Sequence, residues 1–191
     1  MLTQSEIKEI DKKAEKAHYA IFGQTENYDN LEDYLEYHGI DVRWISSDEL
    51  DGYLRYDAKK DCPVIVVSIS VSPPVNRRYV MAYQLGYLLL KYDWDLFDDS
   101  HNHTLSLTKP KFLYIKASKG IYGDKHENEV AKEFASTFLI PNNKLKPYID
   151  NATADSDALI TDVSIAFHVS TLLAKYKILS YLKKSILLVD K

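Results

Sequence analysis

The chain of 191 residues has a single cysteine, Cys62. One thiol excludes a disulfide framework, a cysteine-based zinc finger and a Cys-x-x-Cys redox pair, and it suits a reducing compartment. Glycine is scarce as well: six residues, widely dispersed, leave no glycine-rich phosphate loop. No apolar run can span a bilayer, since the longest, from Pro63 to Val71, is interrupted by serines. The opening Met-Leu-Thr-Gln-Ser-Glu carries no basic-then-apolar leader, so the expectation is a cytoplasmic protein with no membrane partner. Lys and Arg total 24 against 28 Asp and Glu, and the resulting charge of −4 argues against general nucleic-acid affinity. With 46% apolar and 27% charged residues, wholesale disorder is excluded too. At about 150 residues per domain the length fits one domain over residues 1–191. A chain of that size buries about 70% of its unfolded surface and needs no structural metal to fold. Tyrosine, by contrast, is abundant: there are fifteen.

Periodicity divides the chain into helices and a short strand region. Residues 4–22 read as an amphipathic helix, with Thr3 and Glu6 at capping-box spacing and Gly23 to end it. A second helix runs from Leu31 to His38. The alternation of Ile40, Val42 and Trp44 predicts a strand, as do Leu54–Tyr56 and the Val/Ile-rich stretch Cys62–Ile69, with a hairpin turn over 57–61. After Pro73-Pro74, Asn76 is expected to cap a helix over 77–92 that is apolar nearly all round and therefore central. Residues 93–109 read as a polar loop, 112–115 as a fourth strand and 124–140 as a helix stopped by Pro141. Two shorter helices, near 155–167 and 170–180 with Ser170 as cap between them, have a helix-turn-helix cadence. Their second helix offers only Lys175 and Lys177 for phosphate contact, so no direct nucleic-acid contact is expected.

The central helix has one polar interior residue, Gln84, and a helix-weakening Gly86 whose expected reason is a close backbone approach. Position by position, Arg78-Tyr79-Val80-Met81-Ala82-Tyr83-Gln84-Leu85-Gly86-Tyr87-Leu88-Leu89-Leu90 resembles the active helix of the ImmA/IrrE family of metallopeptidases, Arg-(aromatic)-x-x-Ala-His-Glu-Leu-Gly-His-x-Leu-Leu. The stretch from Glu127 to Pro141 resembles that family's second motif, an acid followed by Ala-x-x-Phe-Ala and ending in Pro. Ala166-Phe167-His168-Val169-Ser170 resembles its closing helix pair. The resemblance covers roughly residues 10–180 and implies an α+β zincin-like domain, with a small antiparallel sheet of about three strands packed on helices.

The chemistry-bearing positions depart from the family pattern. Its zinc site takes two histidines at i and i+4, a glutamate general base beside the first, and a third ligand from the second helix. Here the resemblance sets Tyr83, Tyr87 and Glu127 at the ligand positions and Gln84 at that of the base. A phenol with an ordinary pKa near 10 is a poor zinc ligand at neutral pH, and a carboxamide cannot accept the proton of a metal-bound water. The expectation is therefore no catalytic residue and no cofactor. Helical facing turns Glu127 inward with Ala131, Phe134 and Phe138, and sets Glu129, Glu133 and Ser136 on the polar side. Glu127 can equally serve its own helix's first turn as a favourable charge.

Other residues admit a functional and a plain reading. His101 and His103, with His126 and Glu127 nearby in sequence, could build a substitute zinc site, but polar-loop histidines need no role. His18 and His38 read as packing or capping residues, Cys62 as an inert thiol opening a buried strand, and Lys183-Lys184 as a solvated pair. Tyr79, Tyr83 and Tyr87 form an i, i+4, i+8 row that either fills the former metal space, its hydroxyls paired with Gln84 or Glu127, or lines a binding groove. The family is commonly encoded beside helix-turn-helix repressors of phages and mobile elements. The resemblance thus implies a non-catalytic binding regulator, an antirepressor holding a repressor-type partner; the alternative is an endopeptidase working through the substitute metal site.

Overall fold

The structure is a computed structural model that describes residues 2–23, 28–92, 94, 96, 125–152 and 156–189. The expected strand over 112–115 and most of the 93–109 loop, His101 and His103 included, lie outside the described residues. Helix α1 (Gln4–Phe22) begins with the anticipated capping box: the Glu6 amide donates to Thr3 Oγ1, and the Thr3 amide donates to Glu6 Oε2 at 2.7 Å. Gly23 ends it with φ of 59°, a conformation glycine adopts without a Cβ penalty. A short 3₁₀ turn (Tyr28–Asn30) leads into α2 (Leu31–Tyr37).

Three strands follow, β1 (Asp41–Ile45), β2 (Gly52–Asp57) and β3 (Cys62–Ser68), in the spatial order β1-β3-β2. The sheet is mixed, which corrects the antiparallel expectation: β2 pairs antiparallel to β3, with Leu54 opposite Ile65, but β1 pairs parallel to β3, with Val42 opposite Ile65. The reason lies in β3. Its apolar run is buried from Pro63 through Ser68, so it must be covered on both faces and flanked on both sides, and it takes the centre. The hairpin return supplies one neighbour, and β1 is left the other edge.

Helix α3 (Val75–Lys91) starts two residues before the expected position, with Pro74 rather than Asn76 at its cap. Asn76 lies inside the first turn and donates to the Ser72 carbonyl at 3.2 Å. Then come α4 (Lys125–Leu139), α5 (Asn142–Asp150), α6 (Ser156–Ala166) and α7 (Thr171–Val189). Pro147 inside α5 disguises that helix in the sequence. It forms because Leu145 is fully buried and Glu15 of α1 accepts from the Asn142 amide at 3.0 Å, satisfying a first-turn donor. The core lies where α1 and α4 meet α3 and the sheet: Phe22, Leu85, Phe134, Phe138 and Ile65 are sealed from solvent there. His18 is buried among them, its Nδ1 donating to the Phe138 carbonyl at 2.6 Å, the packing role expected of it. Among the described residues no single helix is long and apolar enough to cross a membrane; α6 and α7 reach that hydropathy only together, across a 112° bend.

Candidate functional site

Three contacts fix α3 in the centre of the fold. At its start Arg78 is nine-tenths buried and donates to the carbonyls of Phe167 and His168, at 3.3 and 2.6 Å, where α6 ends. Burial pulls its guanidinium down to about 10, against the opposing attraction of Asp29 and Tyr28. Midway, Val80 packs on the first residue of β2, so tightly that a Cβ on Gly52 would lie 2.6 Å from Val80 Cγ1 and 2.5 Å from the Val66 carbonyl oxygen. Near its end Gly86 meets α4: a Cβ there would stand 3.0 Å from Phe134 Cδ1. What approaches Gly86 is the Phe134 side chain of the second motif helix, so the glycine makes room for a ring.

The tyrosine row lies along one side of that α3–α4 contact. Tyr79 and Tyr83 have ring centroids 6.3 Å apart, and Tyr83 meets Tyr87 edge-on at 5.4 Å. Tyr83 Oη donates to Asn128 Oδ1 at 2.5 Å and Tyr87 Oη donates to the same oxygen at 2.9 Å. Burial raises the pKa of both phenols; for Tyr87 the neighbouring Tyr83 hydroxyl and the Glu127 carboxylate add to it, while for Tyr83 the Tyr87 hydroxyl works the other way. Tyr79 is raised first by burial, then by Tyr83, Tyr176 and Glu133. At neutral pH all three are neutral phenols.

Glu127 is not part of this set. It is one-third exposed and binds the Lys91 ammonium through both oxygens, at 2.6 and 2.7 Å. The long Lys91 side chain reaches across from the end of α3 and captures it. Asn128, one residue and 100° further round the helix, faces the phenols instead. Sequence reasoning missed Asn128; the available signal was an uncharged amide between Glu127 and Glu129, three residues before Ala131 and so on its face. Gln84 is fully buried in α3. His126 Nε2 stands 3.2 Å from Glu6 Oε1 on α1, outside the tyrosine cluster. No group of three or more His, Cys, Asp or Glu suited to a metal occurs among the described residues.

The turn from α6 to α7 has the expected cap, the Leu173 amide donating to Ser170 Oγ at 3.3 Å. Residues 35–179 match the profile of the peptidase M78 family, the IrrE N-terminal-like domain, which is well over half of the chain. The chain belongs to this family. No curated protein matches it. The IrrE-like frame accounts for the α+β architecture and for the pairing of α3 with α4, and the match ends inside α7, past the Ser170 cap.

Polar residues that the sequence left on the surface are drawn inside. Glu133 and Ser136 of α4 are buried, not solvated, and Lys177 is buried completely. Lys177 Nζ donates to Thr137 Oγ1 at 2.5 Å, and Thr137 donates to Asp11 Oδ1 at 2.6 Å. Lys184, expected in solvent with Lys183, bridges Asp11 at 3.0 Å and Glu133 at 2.6 Å. The network ties α1, α4 and α7 together behind the tyrosine row. Cys62 is half-buried, and burial followed by the neighbouring Asp41 carboxylate pushes its thiol up, away from reactivity.

Proposed function

We propose that this chain is a family member without peptidase chemistry that works by holding a protein, a helix-turn-helix repressor of a phage or mobile element. The observation that carries the reading is the joint donation of Tyr83 and Tyr87 to Asn128 Oδ1. Zinc is held by thiolates, imidazole nitrogens or carboxylate oxygens, and this donor set has none of them. Its two phenols are raised further from ionisation by burial, and its amide oxygen already accepts two hydrogen bonds. The residues therefore do not fit the metal of their family. Gln84 has no basic atom with which to activate water. Of the residues considered for a substitute site, His126 and Glu127 are engaged with Glu6 and Lys91.

Tyr83 and Tyr87 are 5% and 2% exposed and Tyr79 is half-buried, so a partner would meet the edge of this row, aromatic bodies with polar tips, and not an open aromatic face. The Tyr79, Tyr83 and Tyr87 side is the proposed binding groove, and the proposal is for a regulator acting in the cytoplasm. Three measurements test it. Elemental analysis of untagged protein is expected to show far less than one zinc per chain; a stoichiometric zinc retained after dialysis overturns the reading. Tyr83→His, Gln84→Glu, Tyr87→His and Asn128→Glu together are expected to create zinc affinity, because the frame that positions these side chains is intact. Co-purification with the product of the adjacent gene is expected to yield an intact complex with a helix-turn-helix protein, whereas fragments of such a protein would restore the peptidase reading.

A further inference from the structure

Helix α7 is apolar on two sides, and among the described residues only one of them is buried. Ala174, Lys177 and Ile178 face the interior. On the opposite side Leu172, Tyr176 and Leu179 are 77%, 48% and 57% exposed. Steps of four and three residues put these on one stripe, and Lys183, exposed and four residues further, continues it. Ile165 of α6, 68% exposed, extends the apolar surface beyond the turn. Single exposed apolar residues are ordinary, but a row in register along a helix marks a contact surface.

Charge says what kind of contact. The net charge of the chain is −4, yet over 171–184 the only charged residues of α7 are Lys175, Lys177, Lys183 and Lys184. Lys177 is buried and Lys184 is spent on Asp11 and Glu133, so the outward charge is that of Lys175 and Lys183 beside the stripe.

We propose that this face of α7 docks an amphipathic helix of the protein partner, one whose apolar edge is flanked by carboxylates. The inference rests on the binding-regulator reading and locates the partner on the chain. Leucines at i and i+7 with a tyrosine between them offer the spacing of a helix-in-groove anchor set, and Lys183 within the stripe selects an acidic partner as a polar seam residue does in a coiled coil. A lipid surface is a poorer match, because Lys183 would enter the apolar layer with the leucines. A second copy is poorer too, because α7 against α7 would bring lysines together.

The test uses the full chain and a fluorescein-labelled three-heptad peptide with Leu at a and d and Glu at e and g. Saturable, salt-sensitive binding is expected, falling about tenfold or more when Lys replaces Glu in the peptide. Leu172→Glu with Leu179→Glu is expected to abolish it, and Lys175→Glu with Lys183→Glu to reverse the peptide preference. All four positions are exposed, so the variants keep the wild-type circular dichroism. Equal binding of both peptides, or binding indifferent to the substitutions, overturns the proposal. So does capture by phosphatidylglycerol vesicles, or a concentration-dependent dimer lost in the same variants, in place of peptide binding. Co-purification separates this inference from the reading beneath it. A complex with the adjacent gene's product that survives the double leucine substitution sinks only the α7 surface; no complex with the wild-type chain counts against the regulator reading, while the peptide result stands alone.

Discussion

Asn128 carries one amide oxygen with two acceptor sites, and Tyr83 and Tyr87 occupy both. That balance makes the cluster stable as a set and sensitive to partial removal. Asn128→Ala leaves two buried phenols without that acceptor and is expected to cost about 1–3 kcal/mol in urea unfolding, against about 1 kcal/mol for Tyr83→Phe, which removes one bond and keeps the ring. Replacing all three, with Phe at 83 and 87 and Leu at 128, is expected to be close to neutral because no polar group is then stranded. A cost for the triple change near the sum of the single ones would show that the three groups act independently. Arg78 is a different kind of residue: its Nη1 donates to both carbonyls ending α6 and its guanidinium lies over the Tyr28 ring at 5.6 Å, contacts that offset part of the cost of a charge nine-tenths buried at the start of α3.

At the scale of elements, two glycines, Gly52 of β2 and Gly86 of α3 itself, define how closely α3 packs. Gly86→Ala improves helix propensity by about 1 kcal/mol, yet its Cβ would press on three Phe134 carbons at 3.0–3.2 Å. A net loss of about 1–3 kcal/mol is expected from chemical denaturation, since an overpacked ring must leave its rotamer. Gly52→Ala is expected to cost more, because one of the atoms it meets is the backbone oxygen of Val66, which cannot rotate away. Most of the elements were legible in the sequence: the capping box of α1, the Val/Ile run of β3 and the all-round apolar pattern of α3 each have a local cause. The mixed sheet was not, because strand direction depends on which strand needs two neighbours. Nor was α5, whose proline outweighs one buried leucine until the tertiary contact with Glu15 is known. At the site, periodicity placed the tyrosine row correctly but chose Glu127 over Asn128, because the reach of Lys91 is a tertiary fact. The buried fates of Glu133, Lys177 and Lys184 were hidden for the same reason: each depends on a helix distant in sequence.

The molecule as a whole carries a lysine in its interior, and stability must follow pH accordingly. Burial holds Lys177 down to about 8, despite the attraction of Asp11, Glu133 and Glu15, with Lys184 opposing. An unfolded lysine titrates near 10.4, so between about pH 8 and 10 the unfolded chain binds the extra proton and stability rises with pH. Above pH 10 the sign reverses, because Tyr79, Tyr83 and Tyr87 resist ionisation in the folded chain and ionise once it opens. Urea melts across pH 7–11 are expected to show this maximum, and Lys177→Met to flatten its rising side; a flat wild-type profile would mean that Lys177 is solvated. The counter-ion Asp11 comes from α1, which lies wholly before residue 35, where the family match begins. A piece of the chain trimmed to the recognisable homology would thus forfeit half of an ion network and the wall against Phe138, so the evolutionary unit here is smaller than the cooperative one.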